Sequence, residues 1–249
     1  MERNNNIISS FYLQDTLNPL LWDNFTDASK SSLKKEIRKG LLKIADEFLD
    51  YLEVDTFVQD ITMTGSLANF NWSNFSDIDL HIIYDFDDFG ENKDLYSEVF
   101  SLKKNLFNSL HDIKVKGFEV ELYVQNSTEV HLSSGVYSVM HNKWVVEPKF
   151  ENVEIDTKKI YEKSSHWMEI IDNSIKKLSN KEISIDKLDD IKDKLKKFRG
   201  SGLEKGGEYS YENLVFKFLR RNGYIQKLYD AKIDFIDKSL SIEESFIKK

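Results

Sequence analysis

Residues 58–84 hold the pattern that most restricts the fold. An apolar run, Val58 to Met63, leads to the pair Gly65-Ser66. After the stretch Leu67 to Ser76 comes Asp77-Ile78-Asp79, which opens a second apolar run, Leu80 to Tyr84. Apolar runs of this length bounded by Gly, Ser and Asn read as strands. Residues two apart on a strand share a face, so Asp77 and Asp79 point the same way and Ile78 the opposite way. Two carboxylates side by side repel, and they are costly to bury unless a cation joins them. The oxygen-seeking cation that also bridges phosphates is magnesium.

Hydrophobic periodicity places further elements around these strands. Leu33, Ile37, Leu41, Ile44, Phe48 and Leu52 recur at helical spacing and predict a helix over 31–52, with Ser31 or Ser32 as its cap. Leu95, Val99, Leu102, Leu106 and Leu110 predict a second helix over 93–111. Between them, Asp85, Asp87, Asp88 and Gly90 read as a solvated acidic turn. The segment Lys116 to Gln125 reads as a third strand. Phe118, Val120, Leu122 and Val124 share one of its faces, and Glu119, Glu121 and Tyr123 the other. A strand pair turning at His141-Asn142-Lys143 follows, placed at the sheet edge or as a bridge to the second part. Gly135, Tyr137 and Trp144 read equally as a base pocket or as core. The expected fold class is α+β: a small mixed-sheet core with flanking helices over 1–150, then a mainly helical region over 151–249.

The pair Gly65-Ser66 beside one strand, with Ser76-Asp77-Ile78-Asp79-Leu80 in the next, resembles the nucleotidyltransferase superfamily related to DNA polymerase beta. The resemblance covers residues 58–125. It implies a third acid on the later strand: Glu121, flanked by Val120 and Leu122, with Glu119 as the alternative. The family more often has Asp there. Two glutamates on one face also fit a plain exposed edge strand.

What the resemblance implies is a metal-dependent transfer of a nucleoside monophosphate from an NTP, such as ATP, to an acceptor hydroxyl, with release of pyrophosphate. Asp77, Asp79 and Glu121 would be its catalytic residues. They would hold two Mg2+ ions, or Mn2+ in their place, about 3.5–4 Å apart. Gly65 would let backbone approach a phosphate closely, and Ser66 would offer its hydroxyl and N–H to the β/γ-phosphates. The acceptor stays open among an RNA 3′ end, a protein side chain and a small molecule. The alternative is a catalytically inactive nucleotide-binding or interaction module on the same fold, antitoxin-like or regulatory.

The C-terminal part carries the main basic cluster. Ile160, Trp167, Ile171, Ile175 and Leu178 share one helical face, and Leu188, Ile191, Leu195 and Phe198 another. Glycines at 200, 202, 206 and 207 predict a flexible or sharply turned loop, and Ser210 caps a further helix. Arg199, Lys205, Lys217, Arg220 and Arg221 gather around that loop in a chain of net charge −8. Lys217 and Arg221 share a helix face at i,i+4. The resemblance makes them nucleotide-binding residues; a solvated basic face is the other reading. His81, two residues after Asp79, shares its face.

Charge and composition narrow the partners. A pI near 5.3 argues against strong duplex-DNA binding. With no cysteines there is neither a disulfide framework nor Cys-ligated zinc, which suits a reducing cytoplasm. No stretch approaches the ~20 apolar residues of a membrane span, and the first residues lack the apolar segment of a signal peptide. A soluble, cytoplasmic protein is expected.

Overall fold

In the computed structural model of the chain, residues 2–129, 133–150 and 153–241 are described. In chain order the elements are α1 (Glu2–Ser9), β1 (Trp22–Asp23), β2 (Ser32–Leu33), α2 (Lys35–Leu52), β3 (Asp60–Thr64), β4 (Ile78–Tyr84) and α3 (Lys93–Leu110). Next come β5 (Lys114–Val115), β6 (Phe118–Asn126), β7 (Val136–Ser138) and β8 (Lys143–Val146). The helices α4 (Thr157–Ser179), α5 (Asp186–Gly206), α6 (Tyr211–Arg221) and α7 (Tyr224–Leu240) complete the chain. The class is α+β. Residues up to Phe11 and from Val153 onward form one compact unit, and the remainder forms the other.

The sheet unit is built on a mixed sheet of order β5-β6-β4-β3-β7-β8. β4 and β6 run parallel, with α3 as the crossover that a parallel pair requires. The other pairs are antiparallel. Alternation gives the sheet one apolar face and one polar face. Leu80, Ile82 and Tyr84 of β4 and Val120 and Leu122 of β6 belong to the buried core. On that side, Phe48 of α2 meets Phe107 of α3, and Tyr84 stacks on Phe100. The opposite face carries Thr62 and Thr64, Asp79 and His81, and Glu121, Tyr123 and Gln125 in matched register.

Two local features depart from the sequence expectation, and a third bears on an alternative left open there. The helix expected from residue 31 is α2 and begins at Lys35, because Ser32 and Leu33 instead pair with Asp23 and Trp22 in a two-stranded ribbon. In α3 the leucine stripe faces outward: Leu95, Leu102, Leu106 and Leu110 are each more than half exposed. The buried face is aromatic, Phe100 and Phe107, joined to Tyr84, Phe86 and Phe89. Larger rings took the sheet-facing positions. For Tyr137 and Trp144 the packing matches the core reading: Tyr137 is buried in the core and Trp144, partly buried, packs against it. Tyr137 is fully buried edge-on to Trp22, which stacks on Trp144 at 4.7 Å.

The outer edge of β6 is covered from within. Beyond its short pairing with β5, the Asn108 side chain donates to Leu122 O at 2.9 Å and accepts from Leu122 N at 3.1 Å. One amide thus stands in for a strand residue and blunts an open edge.

In the helical unit α6 packs against α1, α4, α5 and α7. Leu214, Val215, Phe218 and Leu219 are buried there among Ile160, Ile171, Leu188 and Leu195. α1 joins this core through Ile7, as does Phe11 just beyond it, so this segment belongs with the C-terminal helices. The glycine-rich stretch is helical through Gly206, where a loop was expected. A Cβ on Gly202 would lie 2.6 Å from Glu212 Cβ and 2.8 Å from Ser210 Oγ, so a bare backbone lets α5 and α6 approach closely. Gly207, at φ +63°, makes the turn, and Ser210 caps α6 by accepting from Asn213 N. No described helix is long and apolar enough to cross a membrane.

A candidate metal centre on the polar face of the sheet

The register of three strands assembles the centre. Thr64 of β3 pairs with Asp79 of β4, and Asp79 pairs with Glu121 of β6. Asp77 sits just ahead of β4. One carboxylate oxygen from each of Asp77, Asp79 and Glu121 lies within 4.8 Å of the others, and all three residues are partly buried. These groups are close enough to hold a metal ion. Glu119 is exposed and lies 3.8 Å from Lys114, outside the cluster, so Glu121 is the acid that joins the two aspartates.

The turn before β4 is shaped around this cluster. Gly65 has φ +76°, a region that disfavours side chains. A Cβ there would stand 1.9 Å from Asp79 Oδ2. A side chain at this position would meet the Asp79 carboxylate first. Ser66 Oγ lies 2.7 Å from Ser76 Oγ, which also accepts from Ser73 N at 2.9 Å. This latch ties the Gly-Ser turn to the residue preceding Asp77. Its hydroxyl is therefore already engaged within the protein.

Beneath the acids lies a second row of polar groups. Tyr123 OH donates to Glu121 Oε2 at 2.5 Å. The Tyr123 ring stacks on His81 at 4.8 Å, and the Lys104 ammonium lies 4.7 Å from its centroid. His81 is held between Thr64 Oγ1 at 3.2 Å and Gln125 Oε1 at 2.8 Å. Burial pushes the Tyr123 phenol well above its ordinary value, reinforced by its bond to Glu121 and by the charges of Asp79, Glu121 and Asp77. It remains a protonated donor. Strand alternation from Glu121 and Asp79 was enough to place Tyr123 and His81 on this face. Lys104 arrives from α3, and no local signal marks it.

The donor set fits a hard divalent cation. It offers only carboxylate oxygens, and the nearby imidazole is occupied by Thr64 and Gln125. The cradle that a Cβ on Gly65 would fill shows that the backbone makes room for one of the acids.

Lys217 and Arg221 lie in the helical unit, on α6, while the carboxylates lie in the sheet unit. Arg221 has a structural task there: Nη1 donates to Ser10 Oγ at 2.6 Å, and the guanidinium lies over Phe11 at 5.2 Å. Lys217 is partly buried and has no hydrogen bond or ion pair among the described residues. Burial pushes its ammonium down to about 8, opposed by Glu208 and aided by Arg221, Arg220 and Arg199. Folding therefore disfavours the charged form. The cost is full below the folded value near 8, and it fades as pH rises toward the ordinary 10.5. Stability is expected to rise over that window by roughly 1–3 kcal/mol. Lys217→Met should raise stability at pH 7 by a similar amount and flatten the rise. Urea unfolding between pH 7 and 10.5 checks both, and identical pH profiles would mean a well-solvated ammonium.

Compared with protein-family models, curated proteins and solved structures, the chain matches none.

Proposed function

We propose that this protein is a metal-dependent nucleotidyltransferase that moves a nucleoside monophosphate from an NTP to an acceptor hydroxyl. The observation that carries the reading is the convergence of Asp77, Asp79 and Glu121 beside a glycine whose missing side chain makes room for the Asp79 carboxylate. Asp77, Asp79 and Glu121 would hold Mg2+. The bound metal supplies positive charge that favours ionisation of the acceptor hydroxyl and offsets charge gathering on the phosphates. The protein's own contribution is positioning. Strand register fixes Asp79 against Glu121, the Ser66–Ser76 latch fixes the turn, and Tyr123 orients Glu121. In the transfer, the acceptor oxygen bonds to the α-phosphorus as the bond to the bridging oxygen breaks. Pyrophosphate departs, and the acceptor's proton goes to solvent.

The test is turnover of each α-phosphate-labelled NTP with Mg2+, in the presence of total cellular RNA and protein. Label is expected on RNA, on protein or in a small product, and its location names the acceptor class. Metal-dependent NTP binding with no label transferred anywhere would favour a binding module on the same fold.

A further inference from the structure

We propose that Tyr123 decides which divalent cation the carboxylate cluster accepts, by leaving Glu121 a single free oxygen and so favouring Mg2+ over Ca2+. The inference rests on reading the cluster as a cation site. Tyr123 OH donates to Glu121 Oε2 at 2.5 Å, which leaves Oε1 for a cation. The donor cannot easily swing away. Its ring is stacked on His81 at 4.8 Å with an interplanar angle of 22°, and Lys104 lies over it at 4.7 Å. His81 is in turn fixed by Thr64 and Gln125. Because His81 pairs with Tyr123 in the same register that pairs Asp79 with Glu121, the clamp sits directly below the acids.

The chemistry of the two ions makes this arrangement selective. Mg2+ demands near-octahedral geometry at about 2.0–2.1 Å, while Ca2+ takes about 6–8 oxygens and readily uses both oxygens of a carboxylate. A glutamate with one oxygen engaged in a short hydrogen bond suits the first demand and disfavours the second. Groups that orient a ligand from behind typically change metal affinity about 10–100-fold when removed. Tyr123→Phe keeps the ring between His81 and Lys104 but frees Oε2. Its affinity for Ca2+ relative to Mg2+ should rise about tenfold.

The experiment is displacement of Mn2+ by Mg2+ and by Ca2+, read from the electron paramagnetic resonance signal of free Mn2+ without nucleotide. Wild type, Tyr123→Phe and Asp79→Asn are compared. Wild type is expected to bind Mn2+ and yield it more readily to Mg2+. Asp79→Asn should bind weakly, and Tyr123→Phe should shift the ratio toward Ca2+. If Tyr123→Phe weakens both ions equally, or changes neither, the tyrosine does not set selectivity and the proposal falls alone. If Asp79→Asn binds Mn2+ as well as wild type does, the cluster is not the cation site, and both readings fall together.

Discussion

Replacing Asp77 and Asp79 together by asparagine is expected to reduce nucleotidyl transfer by on the order of 10^3-fold or more. Asparagine keeps the shape of each side chain and removes its charge, so the sheet should still form. With two of the three clustered carboxylates neutral, the proposed Mg2+ site would be lost. A separate readout follows from linkage. A ligand present at about 100 times its Kd stabilises the folded state by roughly 2.7 kcal/mol. Mg2+ should therefore raise the melting temperature of wild type and leave the double variant unmoved. Without metal, the double variant should be the more stable by about 1 kcal/mol, because like charges no longer crowd one another. Turnover retained by Asp77→Asn/Asp79→Asn would end the metal-centred mechanism, whatever the melting curves show.

Gly65→Ala should come second in size. Its methyl group would overlap Asp79 Oδ2 at 1.9 Å, and the backbone at φ +76° resists any side chain. The carboxylate must move or the turn must open. A displacement of about 1 Å at a reacting centre can cost on the order of 10^2-fold in rate. The backbone there, at φ +76° and ψ −164°, is a region essentially only glycine adopts, and the strain alone should cost about 1–3 kcal/mol of stability. Gly117 separates the two effects. It has φ +89°, yet nothing lies within 4 Å of where its Cβ would be. Gly117→Ala is expected to lower the melting temperature comparably while leaving Mg2+ stabilisation and transfer intact. If Gly65→Ala behaves like Gly117→Ala, the close approach to Asp79 has no functional weight.

Much of the centre was legible because strand alternation is rigid. A period of two put Asp79 with His81 on one face of their strand, and Glu121 with Tyr123 on one face of theirs. It could not choose between Glu119 and Glu121, since both share that face. The parallel register of β4 and β6 makes the choice, and register depends on contacts distant in sequence. The same limit explains α3. Its leucine stripe and its Phe100–Phe107 face both follow helical spacing, and only the partner surface decides which is buried. The glycines at 200, 202 and 206 read as a loop because local propensity disfavours them in helices. Tertiary contact with Ser210 and Glu212 overrides that preference at Gly202. Ser32 reads as a helix cap until Trp22 and Asp23, ten residues earlier, are seen to pair with Leu33 and Ser32.

The parallel pairing of β4 with β6 also bears on kinetics. Asp79 and Glu121 meet only after the chain between them, including all of α3, has folded back on itself. Such non-local pairing forms late, because loop closure must precede the contacts that reward it. The repulsion between Asp79 and Glu121 is therefore expected to arise late in folding, and a bound cation to act mainly on the finished structure. Mg2+ is then expected to slow unfolding markedly while leaving the refolding rate almost unchanged, as interactions absent from the transition state do. Resistance to unfolding would track the ionic composition of the surroundings, and the speed of folding would not.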